Sequence, residues 1–142
     1  MPALPPDARL DTGLMGLLGL EVAEATPARV VVTMTVTDAH LQPFGYVHGG
    51  ASVALAETAA SLGGYLHAPP GHAAFGLEIN ANHVRSVGAG AVLRAEAVPV
   101  HVGRATQVWS IEIRDASARL VCVSRCTLAV VLVQEAGEGT RA

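Results

Sequence analysis

Gly49-Gly-Ala-Ser-Val-Ala-Leu-Ala-Glu57-Thr-Ala-Ala-Ser-Leu-Gly-Gly-Tyr-Leu66 is the stretch on which the fold turns. Its side chains are small or apolar on almost every side. Such a helix is stable only when buried against other elements rather than laid on a surface. Glu57 is the one formally charged residue between Asp38 and Glu78. A lone carboxylate in so apolar a segment costs free energy unless it is solvated, paired or used. Four glycines, two serines and a threonine in the stretch argue against a membrane span, which needs roughly 20 predominantly apolar residues.

The flanks supply strands. Arg29 to Val36 is rich in β-branched residues, and Glu21 to Glu24 is its expected antiparallel partner. Leu10 to Leu18 is expected as a short helix weakened by Gly13 and Gly16, after a loose arm over residues 1–9. Beyond the Ala68-Pro-Pro-Gly71 loop come four strands, over 74–83, 91–100, 106–114 and 119–133, with turns at His101–Arg104 and Asp115–Ala118. Thr106–Arg114 alternates Gln107, Trp109, Ile111 and Ile113 against Val108, Ser110 and Glu112. Leu128–Val133 is apolar on both faces, and the tail from Glu135 reads as disordered. Successive strands after a helix imply an antiparallel sheet. One buried helix and one such sheet pack only if the sheet curls around the helix, an α+β arrangement. Ala51, Ala54, Ala56, Ala59 and Ala60 would let it approach closely. The chain is expected to form a single domain over residues 1–142 with its core at about 14–133.

Composition narrows the partners. Hydrophobic residues make up 51% and charged residues 15%, pointing to large buried or subunit-covered areas. The formal net charge of -3 argues against a nucleic-acid footprint. Three prolines and no apolar run within Met1–Arg9 leave no secretory signal, so a cytoplasmic setting away from membranes is expected. Cys122 and Cys126 lie four apart in one strand, about 13 Å, too far for a disulfide and consistent with two buried thiols. The six histidines match no metal-ligand spacing, so no metal is expected.

The chemistry concentrates between Gln42 and Glu57. A helix beginning at Gly49-Gly50 presents unpaired N–H groups and a positive dipole end, which suit a developing oxyanion. Glu57 lies two turns beyond Gly50 on the same face, with Val53, Ala54, Ala60, Ser61 and Gly64. A carboxylate there can attack a carbonyl or activate water. The alternative is a structural acid bonded to backbone or to a partner-subunit arginine. No G-x-S-x-G elbow is present, which argues against a serine hydrolase.

Gln42-Pro-Phe-Gly-Tyr-Val-His48-Gly-Gly-Ala-Ser-Val-Ala-Leu-Ala-Glu57 resembles the active-site segment of the hotdog-fold acyl-CoA thioesterases. The similarity is to the glutamate-type 4-hydroxybenzoyl-CoA branch, which includes the 1,4-dihydroxy-2-naphthoyl-CoA thioesterases and the enterobactin proofreading thioesterase. It continues through Gly76–Ser86 and Gln107–Ile113 and covers roughly residues 14–133. The phenylacetate-degradation branch is less similar, with Asn and Asp where Gln42 and Glu57 stand.

The resemblance implies a hotdog fold and Glu57 as nucleophile or general base. It implies that the Gly49 N–H and His48 polarise the thioester carbonyl, that Gln42 places the thioester or water, and that Ser61 stands near that water. His83, Arg85 and Ser86 match a segment lining the acyl and pantetheine path, and Gly103 and Arg104 a loop near the CoA nucleotide. Phe44 and Tyr46 would line a slot for an aromatic or bulky acyl group. The CoA thioester is then the substrate and no cofactor is implied; the expected assembly is a homotetramer built as a dimer of dimers. Two rivals remain: a 3-hydroxyacyl-thioester hydratase or dehydratase on the same fold, and a non-catalytic acyl-CoA-binding module.

Overall fold

The computed structural model describes residue 4 and residues 8–133. The elements in chain order are α1 (Gly13–Leu18), β1 (Leu20–Ala25), β2 (Val30–Thr35), a 3-10 turn (Asp38–His40), α2 (Gly49–His67), β3 (His72–His83), β4 (Val92–Val102), β5 (Thr106–Arg114) and β6 (Leu120–Leu132). The strands form one antiparallel sheet in the order β1-β2-β4-β5-β6-β3. Five of the six are joined to a sheet neighbour by a hairpin. β3 instead crosses to the far edge and pairs with β6, His72 opposite Leu132 and His83 opposite Cys122. The chain therefore presents two sheet edges, β1 and the 12-residue β3.

The sheet curls over one face of α2, the face of Ser52, Leu55, Ala56, Ala59, Ala60, Gly63, Gly64 and Leu66, all buried. Glycine permits close approach where it is needed. A Cβ on Gly63 would lie 2.5 Å from the Trp109 ring, and one on Gly64 would strike Leu128. Trp109 is fully buried, its Nε1 donating to Gln107 Oε1 at 2.9 Å, while Gln107 Nε2 donates to the Gly64 carbonyl at 3.3 Å. The alternation over 106–114 holds: Gln107, Trp109, Ile111 and Ile113 all face the core. Each aliphatic side chain so buried contributes about 1.5–3 kcal/mol of transfer free energy.

Four expectations change. The opposite face of α2, with Ala51 and Ala54, is not wrapped by the sheet but lies half-buried beneath α1, so Ala60 and Gly64 do not share a groove with Glu57. The first helix begins at Gly13, whose left-handed backbone (φ 59) is incompatible with an earlier start, and Leu4 of the supposed loose arm packs against the core. β4 runs through His101 to Val102 past a bulge after Pro99, which shortens the turn. Val131 and Leu132 are exposed in the chain alone rather than covered on both faces. The expectation for the tail from Glu135 lies outside the described residues. No described helix is long and apolar enough to cross a membrane.

Candidate active site

The loop entering α2 is held by backbone. His40 is buried; its Nδ1 accepts the Thr37 N–H at 2.8 Å, so its Nε2 carries the proton and donates to the Leu18 carbonyl at 3.0 Å. The His48 N–H donates to the His40 carbonyl at 2.7 Å and the Val47 N–H to the Val87 carbonyl at 2.8 Å. Between these anchors the chain reverses tightly at Gly45, where φ is 87, a conformation glycine adopts without strain. The Gln42 side-chain carbonyl accepts the Phe44 N–H inside this turn, leaving its amide N–H groups unpaired among the described residues.

His48 caps the helix. Its Nδ1 accepts the Gly50 N–H at 2.8 Å, which fixes the tautomer with the proton on Nε2. Its carbonyl accepts the N–H groups of Ala51 at 2.9 Å and Ser52 at 3.3 Å. Among the described residues the Gly49 N–H alone of these helix-start donors has no acceptor. The His83 ring packs against Gly49, 2.8 Å from where a Cβ would stand. A cavity of about 330 Å³ opens there, and Gln42, Gly49, His83, Arg85 and Ser86, five predicted residues, converge on it. So does Ser52, which sequence reasoning passed over; it is 1% exposed and its Oγ has no partner. A polar residue among alanines on the sheet-facing side of α2 was the available signal.

Glu57 lies two turns along α2 on the face beneath α1. It is half-buried and makes no hydrogen bond or ion pair among the described residues, which disfavours an acid held by its own chain. With Ser61 it lines a separate cavity of about 610 Å³ whose other walls are largely apolar. His48 and Gly50 line an adjoining cavity of about 340 Å³ that shares Leu14 and Ala54 with it. Glu57 Oε1 presses on Gly76 of β3, a glycine in mid-strand where any side chain would displace the carboxylate. Glycine inside a strand pattern marks such close approach, so this contact was open to inference. Below, burial pushes the Cys126 thiol up to about 11, with Glu57 and then Glu78 adding to it. The thiol is thereby kept from acting as a nucleophile at neutral pH.

Other predicted residues stand apart. Phe44 is 85% exposed at the loop tip. Gly103 and Arg104 lie in the β4–β5 hairpin beside the C-terminal end of α2, tied there by the Gln107–Gly64 bond. That end is about 20 Å along the helix from Gly49. Within one chain these two residues do not meet the Gln42–Gly49 cluster.

A family model described as Thioesterase superfamily matches residues 44–122. The chain is 49% identical over 118 residues to a 1,4-dihydroxy-2-naphthoyl-CoA hydrolase of Listeria monocytogenes, covering 83% of this chain and 95% of that one. It is 44% identical over 114 residues to the proofreading thioesterase EntH of Cronobacter turicensis, with 80% and 82% covered. Its structure resembles the crystal structure of a Haemophilus influenzae thioesterase with a TM-score of 0.84 at 43% identity, covering 91% and 90% of the two chains. With its six-stranded antiparallel sheet curled over one long helix, the chain belongs to the thioesterase superfamily and is a thioester hydrolase on the hotdog fold.

Proposed function

We propose that the protein hydrolyses an acyl-CoA with an aromatic or otherwise bulky acyl group, using Glu57 as base or nucleophile and the Gly49 N–H as oxyanion donor. The observation that carries this reading is a half-buried carboxylate on the same helix as an N–H at its positive end, both without a partner among the described residues. In the base route Glu57 takes a proton from water as the water oxygen adds to the thioester carbon. The partner's Gly49 N–H and the partner's His48 Nε2–H stabilise the resulting oxyanion, since Gly49 of the same chain stands about 12 Å along α2 from Glu57. Collapse breaks the C–S bond, the CoA thiolate leaves and is protonated, and Glu57 returns its proton to solvent. In the nucleophile route Glu57 adds first, releases the thiolate and forms a mixed anhydride, which water then opens. Arginine suits the CoA phosphates, and Arg85 is exposed beside the Gly49 cavity. The naphthoyl-CoA hydrolase relative supports an aromatic acyl group.

The reading includes a homo-oligomer. β3 offers a long free edge with Phe75 54% and Leu77 64% exposed, a surface that isolated proteins rarely leave open. Self-pairing about a two-fold is antiparallel. It would bring the Gly76 end of one β3 against the His83 end of the other, so that the partner's His83 and the partner's Arg85 complete the site at Glu57. A dimer of such dimers is the assembly proposed.

The test is a panel of aromatic and aliphatic acyl-CoAs assayed with the wild type and Glu57→Ala, beside crotonyl-CoA hydration and light scattering. Expected are thioester cleavage without hydration, loss of nearly all turnover in the variant and an unchanged oligomer. Cleavage retained at most of the wild-type rate rejects the mechanism. A single turnover in ¹⁸O-water that labels Glu57 establishes the nucleophile route with water opening the anhydride at the Glu57 carbonyl, and trapping the anhydride with hydroxylamine detects that route when water attacks the acyl carbon instead.

A further inference from the structure

Two polar groups near the start of α2 line one cavity without a partner among the described residues: the Gly49 N–H and, one turn on, the Ser52 hydroxyl. A serine or threonine inside a helix can give its hydroxyl to the carbonyl four residues back. Thr58 does so, Oγ1 to the Ala54 carbonyl at 2.7 Å. Ser52 does not. The carbonyl within its reach, that of His48, already accepts the N–H groups of Ala51 at 2.9 Å and of Ser52 itself at 3.3 Å, which takes both of its lone pairs. The cavity walls carry no carboxylate, and the Gln42 side-chain carbonyl is occupied by the Phe44 N–H. The Ser52 proton is therefore free for an acceptor that arrives from outside. Helix side chains lean toward the N-terminus and cover the turn before their own Cα, so Ser52 leans toward Gly49. No hydrogen bond holds its Oγ, and rotation about one bond turns it further into the cavity.

We propose that Ser52 is a further catalytic residue, its hydroxyl donating to the same substrate oxygen as the Gly49 N–H of its own chain. The inference rests on the thioesterase reading, in which that N–H receives the oxyanion. When water or Glu57 adds to the thioester carbon, the carbonyl oxygen becomes negative and gains a lone pair beyond the two it had. Ser52 meets that added lone pair. Its proton stays on Oγ throughout, so the proton balance of either route is unchanged. Ser52 is 1% exposed, and a donor so shielded from water acts more strongly on a developing charge. A donor that only the oxyanion needs raises kcat and hardly changes substrate binding. The rival is a hydroxyl that serves only to hold a buried water, which leaves the reaction untouched.

The test is steady-state kinetics on the best acyl-CoA of the panel with wild type, Ser52→Ala and Ser52→Cys, beside calorimetry with two CoA ketones. Acetonyl-CoA has a planar carbonyl like the substrate; trifluoroacetonyl-CoA hydrates to a tetrahedral centre like the intermediate. Loss of one oxyanion donor costs about 100-fold in kcat, so Ser52→Ala should show that loss with KM within about threefold. It should weaken trifluoroacetonyl-CoA at least about tenfold and leave acetonyl-CoA within about twofold. Ser52→Cys keeps the shape and a weak donor, and should show the same split at reduced size. A Ser52→Ala kcat within about threefold of wild type, or equal weakening of both ketones, overturns the proposal. So does wild-type kcat in Ser52→Cys beside a Ser52→Ala that fails to fold, which would assign the hydroxyl to the fold. Failure of the underlying reading looks different: the wild type then cleaves no acyl-CoA and binds neither ketone, and the proposal falls with it.

Discussion

Gly76→Ala separates the position of Glu57 from its presence. Gly76 has an ordinary backbone conformation, so alanine introduces no strain there. In a strand it should stabilise by about 0.4–1 kcal/mol through the unfolded chain. Its Cβ would nevertheless stand about 1 Å inside the 3.4 Å at which ordinary contact with Glu57 Oε1 begins. The nearest atom is the free end of a side chain held by no hydrogen bond among the described residues, so the carboxylate moves and the strand does not. A displacement of about 1 Å at a reacting group costs on the order of 100-fold in rate. The expected outcome is a kcat lowered about 100-fold with KM changed little. The urea midpoint should equal or exceed that of the wild type. Steady-state kinetics on the best acyl-CoA of the panel, with urea unfolding on the same preparation, measures both. Wild-type kcat in a folded Gly76→Ala variant would refute the argument that the carboxylate works from this place. A fall in stability instead would show that the backbone, not Glu57, absorbs the clash.

Gly63→Ala should act the other way. The new Cβ meets Trp109 ring atoms at 2.5, 2.6 and 2.9 Å, and that ring is buried and hydrogen-bonded. Overpacking of about 1–3 kcal/mol outweighs up to about 1 kcal/mol of helix propensity, so the urea midpoint should drop. Ser52→Ala removes a hydroxyl that is buried without a partner and should leave the melting temperature equal or higher; a clear fall would mean the hydroxyl has a partner in solution. Cys126 should resist iodoacetamide at pH 8 in the folded protein and react in guanidinium. Its folded pKa is raised, so the unfolded chain loses the thiol proton first. The stability it contributes is complete below the unfolded value and is lost as pH rises toward about 11. The chain has no lysine to confuse that window, and Cys126→Ala should flatten the decline measured by urea unfolding between pH 9 and 11.

Much of this molecule could be read before its structure was seen. Glu57 stood out by charge alone, and Gly49-Gly50 marked the start of its helix; the end, expected around Gly63-Gly64 or Leu66, falls at His67, because both glycines are used for packing against Trp109 and Leu128 rather than for termination. The period-two alternation over 106–114 identified the core face of β5, and the two-turn spacing from Gly50 put Glu57 on the face with the helix start. These are local facts, fixed by the repeat of helix or strand. Long-range closure decided the rest. Small residues all round α2 gave no sign of which face the sheet would take, so Ala60 and Gly64 were placed on the wrong side. Sequence order could not send β3 to the far edge beside β6, because pairing depends on how the whole sheet closes. That crossing sets Gly76 under the carboxylate and His83 against Gly49, while Arg104 stands near the other end of α2 from Gly49. The sequence by itself determined the candidate groups and the helix that bears them. Only the tertiary structure decided what presses on those groups, because contacts between distant segments leave no periodic trace in either one.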